Sequence, residues 1–145
     1  MNGFPPIGTL LPHTGRMVLL DDVTHFDRER VICTTSQHRS ADNPMRVAGR
    51  MPAMSGIEFA AQAMAVHGAL RRTPPAALRA GRLLSVRDVA VGRRFLDDVE
   101  GTLIVECTLE GASADVFAYR FTVAVGGTTV LSGRAAVLMS ERELA

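Results

Sequence analysis

One carboxylate lies in the most apolar stretch of the chain, RMPAMSGIEFAAQAMAVHGAL, which runs from Arg50 to Leu70. This acid is Glu58, and an amide side chain, Gln62, follows it four residues later. If the stretch is helical, that spacing puts both groups on the same side of the helix, one turn apart. A carboxyl group that is partly removed from water holds its proton to higher pH and can act as a general acid near neutrality. The pair is therefore a candidate acid-base site.

Each of the two residues also has an ordinary structural interpretation. Glu58 falls in the first turn of the predicted helix, where a negative charge interacts favourably with the helix dipole. Gln62 is compatible with a core amide that bonds to nearby backbone groups. The sequence leaves these alternatives open.

The helix that carries Glu58 is predicted from Ser55 to Leu70. Small and apolar residues recur at helical spacing from Ile57 onward, Ser55 is a suitable N-cap, and the Thr-Pro-Pro run at 73–75 ends the helix. Its residues are apolar on most sides, which is typical of a helix that other structure encloses.

Strand-like runs of apolar and β-branched residues supply that enclosure. They are Met17–Phe26, Arg30–His38, Gly81–Val91, Gly101–Glu110, Ala114–Val125 and Thr128–Met139. The residues EGAS at 110–113 and the Gly126-Gly127 pair are typical of chain reversals between antiparallel strands. We therefore expect one α+β domain over residues 1–145, in which an antiparallel sheet is wrapped round one long central helix.

The composition argues against several classes of function. The formal net charge is +1 and the basic residues are scattered, so neither nucleic acid nor a membrane surface is an expected partner. No apolar run reaches the ~18 residues of a membrane span, and the first residues lack a secretory pattern, so we expect a cytoplasmic protein. Cys33 and Cys107 lie in strand-like runs without CxxC spacing. We expect buried, reduced thiols, no metal site and no other cofactor.

Two stretches resemble a known family. LLPHTGRMVLLDDV, at 10–23, is similar to the opening of the FabZ-like β-hydroxyacyl-acyl carrier protein dehydratases. MPAMSGIEFAAQAM, at 51–64, is similar to the motif that starts their helix, with its Met-Pro, its glutamate and its glutamine. The helix most closely resembles that of the dehydratase-like proteins of aryl polyene biosynthesis. This resemblance implies a hotdog fold in which Glu58 projects into a substrate tunnel at a dimer interface and Gln62 belongs to the same polar lining.

The chain departs from that family in one loop. The family has a His-Phe-Pro-Gly motif whose histidine removes the proton α to the thioester, whereas Asn43 and Pro44 stand at the corresponding place here. Asparagine is not a base at neutral pH. Asn43 before proline is good loop chemistry, but together with Glu58 it also resembles the amide and acid pair of hotdog thioesterases.

The four histidines are the remaining candidates for a base. His13 lies in the LPH stretch, where we expect it to tie down the N-terminal segment. His67 is predicted on a different side of the helix from Glu58. His25 and His38 are predicted at strand ends.

The start of the helix is a second candidate site. In a hotdog fold it faces the bound thioester, so we expect backbone N–H groups around Ser55 and Gly56 to bind the substrate, with Gly56 donating to the carbonyl oxygen as charge develops.

Three functions remain open on this evidence. The chain is expected to dehydrate 3-hydroxyacyl groups, to hydrolyse thioesters with Asn43 and Glu58, or to act as a non-catalytic partner of an active dehydratase. In each case the acyl group would arrive on the phosphopantetheine arm of an acyl carrier protein or of CoA. Because six strands leave a sheet edge open, we expect a homodimer or higher oligomer, or a heterodimer with a paralogue, paired through Gly81–Val91.

Overall fold

The computed structural model of the protein describes residues 3–78 and 80–140. One α-helix and six β-strands follow one another in the predicted order. The helix is α1 (Gly56–Leu70), and the strands are β1 (Asp22–Phe26), β2 (Arg30–Thr35), β3 (Ala80–Val91), β4 (Leu103–Ser113), β5 (Val116–Val125) and β6 (Thr128–Ser140). Among the described residues, no helix has the length and apolar character needed to cross a membrane.

The strands form one antiparallel sheet in the order β1-β2-β4-β5-β6-β3. Helix α1 packs against β2, β4, β5 and β6. The predicted arrangement of a sheet round one central helix is therefore confirmed. Among the described residues, strand β3 pairs only with β6 and so forms one edge of the sheet, as β1 forms the other.

The core lies between α1 and the sheet. Phe59 of the helix and Phe121 of β5 are among its largest buried side chains. The first helical residue, Gly56, lies so close to β6 that a Cβ atom there would be 2.7 Å from Cδ2 of Leu131. The absence of a side chain at this position fixes how closely the start of the helix approaches the sheet.

Strand β1 is shorter than predicted, because residues 17–21 are not part of it. The Leu19 N–H group donates to Oε1 of Gln62, and the Met17 carbonyl accepts from Nε2 of the same side chain. Helix α1 thus satisfies backbone groups that a strand would have paired with its neighbour. The second strand also ends early, at Thr35, because residues 37–39 form a 3₁₀ turn.

The turn predicted at residues 110–113 lies a few residues further along the chain. Strand β4 continues to Ser113, with a bulge between Leu109 and Gly111 in its pairing with β5. The chain reverses at Ala114, whose φ of 54° lies in the left-handed region. The bulge accommodates Glu110, the first residue of the predicted turn, as an extra residue within the strand.

Cys33 and Cys107 are free and buried, as predicted. They lie on the adjacent strands β2 and β4. Burial raises the pKa of Cys33 to about 12 and raises the pKa of Cys107 well above its ordinary value. Both side chains are therefore neutral thiols that contribute to the core.

Candidate functional site

Glu58 lies at a cavity of about 150 Å³ between α1, the edge strand β3, the end of β6 and the N-terminal segment. The residues that line the cavity are Pro12, His13, Glu58, Ala61, Gln62, Met64, Ala65, Leu78, Gly81, Arg82, Leu83, Val137 and Met139. Most of them are apolar. Glu58 itself is exposed in this chain and forms no hydrogen bond or ion pair with any described residue. Its carboxyl group is thus the acidic group that lines this cavity among the described residues.

Gln62 lines the same cavity one turn after Glu58, as the spacing predicts. The side chain is 3% exposed. Its Oε1 atom accepts from the Leu19 N–H group at 2.9 Å, and its Nε2 group donates to the carbonyl of Met17. The interpretation of Gln62 as a core amide is therefore observed, while its role in binding substrate stays a prediction.

His13 also lines this cavity, although the sequence suggested only a role in tying down the N-terminal segment. Its Nδ1 atom is enclosed and has no hydrogen-bond partner among the described residues. No simple sequence signal places His13 and Glu58 at one cavity, because this depends on how the irregular N-terminal segment packs against α1. The bonds of Gln62 to Met17 and Leu19 contribute to that packing.

His25 and His38 lie away from the cavity. His25 is partly exposed, and its Nε2 atom lies 2.8 Å from Oδ2 of Asp27, a hydrogen bond that lowers the pKa of Asp27 to about 2. His38 is fully buried, and its Nε2 group donates to the Val99 carbonyl at 2.8 Å. Burial lowers the pKa of His38, so it is a neutral structural residue.

His67 is fully buried on another side of α1, as its spacing from Glu58 predicts. Its Nδ1 atom accepts from the Tyr119 hydroxyl at 2.7 Å, and its Nε2 group lies 3.0 Å from the Asp27 carbonyl oxygen. Since a carbonyl can only accept, the proton is on Nε2 and the ring is neutral. Burial lowers the pKa of His67 in agreement with that state.

Asn43 does not line the cavity within its own chain. It is 6% exposed, and both ends of its amide are bonded inside the loop. Nδ2 donates to the Gln37 carbonyl at 2.8 Å, and Oδ1 accepts from the Met45 N–H group at 2.9 Å. The loop-stabilising interpretation is observed. A pairing of Asn43 with Glu58 across two chains stays a prediction.

The start of α1 differs from what the sequence suggested. A 3₁₀ turn at Ala53–Ser55 precedes the helix, and the Gly56 N–H group donates into this turn, to the Ala53 carbonyl. The Ser55 hydroxyl makes no cap and donates to the Met45 carbonyl at 3.4 Å. The Gly56 N–H group is thus already bonded within the turn in this chain, and its expected role as a donor to a thioester carbonyl stays an untested prediction. Neither residue lines the cavity, so substrate binding by Ser55 stays an untested prediction.

Metal ligands are not clustered in the part of the chain that the structure describes. Nowhere among those residues do three or more His, Cys, Asp or Glu side chains come close enough to hold an ion.

The sheet, the helix and the cavity at the sheet edge define a hotdog protein. A family model described as ApeP dehydratase, of the ApeP-like type, matches residues 5–145. The chain belongs to this ApeP-like dehydratase family. No curated protein matches the sequence significantly.

Solved structures agree on the fold. The dehydratase heterocomplex ApeI:P from Xenorhabdus doucetiae gives a TM-score of 0.82 at 24% identity, over 94% of this chain and 91% of that one. An uncharacterized protein from Pyrococcus horikoshii gives a TM-score of 0.61 at 13% identity, over 97% of this chain and 98% of that one. A hypothetical thioesterase with coenzyme A from Streptococcus pneumoniae gives a TM-score of 0.58 at 12% identity, over 85% of this chain and 88% of that one. At these identities the likeness is one of fold, and the hotdog fold is confirmed.

Proposed function

We propose that this protein removes water from 3-hydroxyacyl groups carried as thioesters on an acyl carrier protein, in aryl polyene or fatty-acid type biosynthesis. The observation that carries the proposal is the position of Glu58 at a mainly apolar cavity, where its carboxyl group forms no hydrogen bond or ion pair with the described residues. Membership of the ApeP-like dehydratase family supports the same reaction.

The reaction needs an acid at the β-hydroxyl group and a base at the α-carbon. Glu58 in its protonated form gives its proton to the hydroxyl group, the carbon-oxygen bond breaks, and water leaves. The base takes the α-proton, and the electrons of that bond form the new carbon-carbon double bond.

A second chain supplies the base in this proposal. His38 and His67 are buried and bonded within the core, and His25 lies outside the cavity. Asn43 has no basic group. One similar structure is named as the dehydratase heterocomplex ApeI:P, which supports an arrangement in which a partner contributes what this chain lacks.

The edge strand β3 is the proposed contact with that partner. In the described part of the chain no strand pairs with its outer side, and Gly81, Arg82 and Leu83 of this strand line the cavity. A strand added at this edge would complete the sheet and cover the cavity beside Glu58.

The test uses 3-hydroxyacyl thioesters on carrier protein, on pantetheine and on CoA, with the chain alone and with a co-produced second hotdog chain. Mass spectrometry detects the loss of one water from the acyl group. Glu58→Gln keeps the size of the side chain but removes the acid, and we expect a loss of roughly 10²-fold or more in kcat. Glu100→Gln, at an exposed position in the loop before β4, is the matched control and stays active.

Other outcomes assign a different function. Release of free thiol without loss of water would identify a thioesterase. If a companion chain dehydrates the substrate only when this protein is present, and does so equally well with the Glu58→Gln variant, then this protein is a non-catalytic subunit. Absence of the enoyl product in every combination would overturn the proposal.

A further inference from the structure

His13 is held in place from both sides although it belongs to no helix or strand. Leu10 and Leu11, just before it, are buried in the core. After it, the backbone at Met17 and Leu19 is bonded to the Gln62 side chain. The ring is therefore fixed beside the cavity that Glu58 lines.

The surroundings of the ring determine where its proton lies. Nδ1 is enclosed and has no hydrogen-bond partner in the described part of the chain. A buried N–H group without an acceptor is rarer and more costly than an unpaired lone pair. Of the two neutral tautomers, the one with its proton on Nε2 is therefore favoured, because the other places the proton on Nδ1. Nε2 has no hydrogen bond to a described residue.

We propose that His13 is a substrate-binding donor, and that its Nε2–H group donates to the carbonyl oxygen of the thioester. This inference rests on the proposed dehydratase function and names a further residue of the same site. As the α-proton leaves, electron density moves to that oxygen, and a fixed donor there stabilises it. Another donor is needed at this oxygen because the Gly56 N–H group is already bonded to Ala53.

The roles of the groups are then complementary. The proton from the α-carbon goes to the base of the second chain, and the proton of Glu58 leaves with the hydroxyl group as water. His13 neither gains nor loses a proton, so it differs from the histidine base that the family loop would have supplied.

Two substitutions distinguish a donor from a base. In His13→Gln the amide nitrogen can reach the position of Nε2, so the donor is kept while a base is lost. In His13→Leu both are lost. We expect kcat to fall by about 10²–10³-fold in His13→Leu and by less than about 10-fold in His13→Gln. His25→Leu, which changes a histidine outside the cavity, is the control and keeps the wild-type rate.

The proposal is wrong if His13→Leu keeps more than about half of the wild-type kcat. It is also wrong if His13→Gln is as slow as His13→Leu, since this would mean that the ring transfers a proton. Unfolding midpoints of both variants show whether a loss of rate comes from a loss of fold.

A measurement without turnover separates this inference from the proposed function. In the wild-type protein, the ring nitrogen resonances of the neutral form of His13 should show the proton on Nε2. A stable 3-hydroxyacyl pantetheine amide should shift the Nε2 resonance and leave that of His25 unchanged. The opposite tautomer, or no shift on saturation, would overturn the role of His13 even if the protein is an active dehydratase. If no combination of chains is active but the resonance shifts, the dehydratase proposal fails while the donor contact stands.

Discussion

The side-chain oxygen of Gln62 accepts a hydrogen bond from the Leu19 N–H group at 2.9 Å, across 43 residues of sequence. The nitrogen of the same amide donates to the carbonyl of Met17. One side chain thus satisfies two backbone groups that have no strand partner. It also fixes the segment that carries His13, so a residue of the core determines the geometry of the cavity.

Replacing Gln62 by leucine should destabilise the fold by about 1–3 kcal/mol, because the buried Leu19 N–H group and the partly buried Met17 carbonyl would lose their partner. Urea unfolding measures this loss. Gln37→Leu is the matched control, since its amide bonds to Asp21 at the surface and its loss should cost under about 1 kcal/mol. Equal losses in the two variants would contradict the role of Gln62.

The two bonds of Gln62 also show what the sequence could and could not predict. The spacing of Gln62 from Glu58 predicted that both residues lie on the same side of the helix, and both line one cavity. The partners of Gln62 are backbone groups, which carry no signature in the sequence. The run MVLLDDV has the composition of a strand, so residues 17–21 were predicted as β1 and not as a segment bonded to α1.

At the start of the helix, the sequence indicated that glycine matters at position 56 but not the structural reason for it. Glycine at 56 was predicted to expose an N–H group to substrate. The structure shows a packing reason, the close approach to Leu131, and an N–H group that is already bonded. A close approach of substrate and a close approach of Leu131 both favour a glycine at this position. Only the position of β6 in the structure distinguishes the two reasons.

Gly56→Ala should therefore destabilise the protein by about 1–3 kcal/mol, as its new methyl group would overlap Leu131. The free energy of unfolding should be partly restored by Leu131→Val in the same chain, since valine lacks the overlapping atom. Gly8→Ala is the control, because a Cβ atom there has nothing within 4 Å. A Gly56→Ala variant as stable as Gly8→Ala would refute the packing argument.

The buried histidine His67 predicts a pH dependence of stability. Burial lowers its pKa in the folded chain from the ordinary value of 6.5. Below pH 6.5 the histidine binds a proton in the unfolded chain but not in the folded chain. The contribution of His67 to the free energy of unfolding is therefore fully present above this pH and decreases as the pH falls below it. The slope from this residue is at most about 1.4 kcal/mol per pH unit.

Urea unfolding between about pH 8 and pH 5 measures that slope. In His67→Gln the amide cannot take up a proton, so the decrease in stability below the histidine pKa should be shallower than in the wild type. His38, whose pKa is also lowered by burial, continues to contribute in the variant. Identical slopes for the two proteins would exclude His67 as a source of the pH dependence.

The edge strand β3 predicts assembly. Leu84 on this strand is 48% exposed, and the outer backbone groups of the strand have no partner strand in the sheet. An apolar, unpaired edge favours pairing with another chain, and a charged side chain opposes it. Leu84→Lys should therefore weaken self-association or pairing with a second hotdog chain by roughly 10-fold or more, as measured by analytical ultracentrifugation.

Ile104→Lys provides the comparison for that experiment, because Ile104 is 39% exposed but lies on the central strand β4. It should leave association unchanged. The dehydration rate should follow the assembled fraction on dilution, since Glu58 is exposed in the single chain and the proposed base belongs to the partner. A wild-type protein that stays a folded, active monomer at micromolar concentration, without any second chain, would contradict both the pairing through β3 and the sharing of the site.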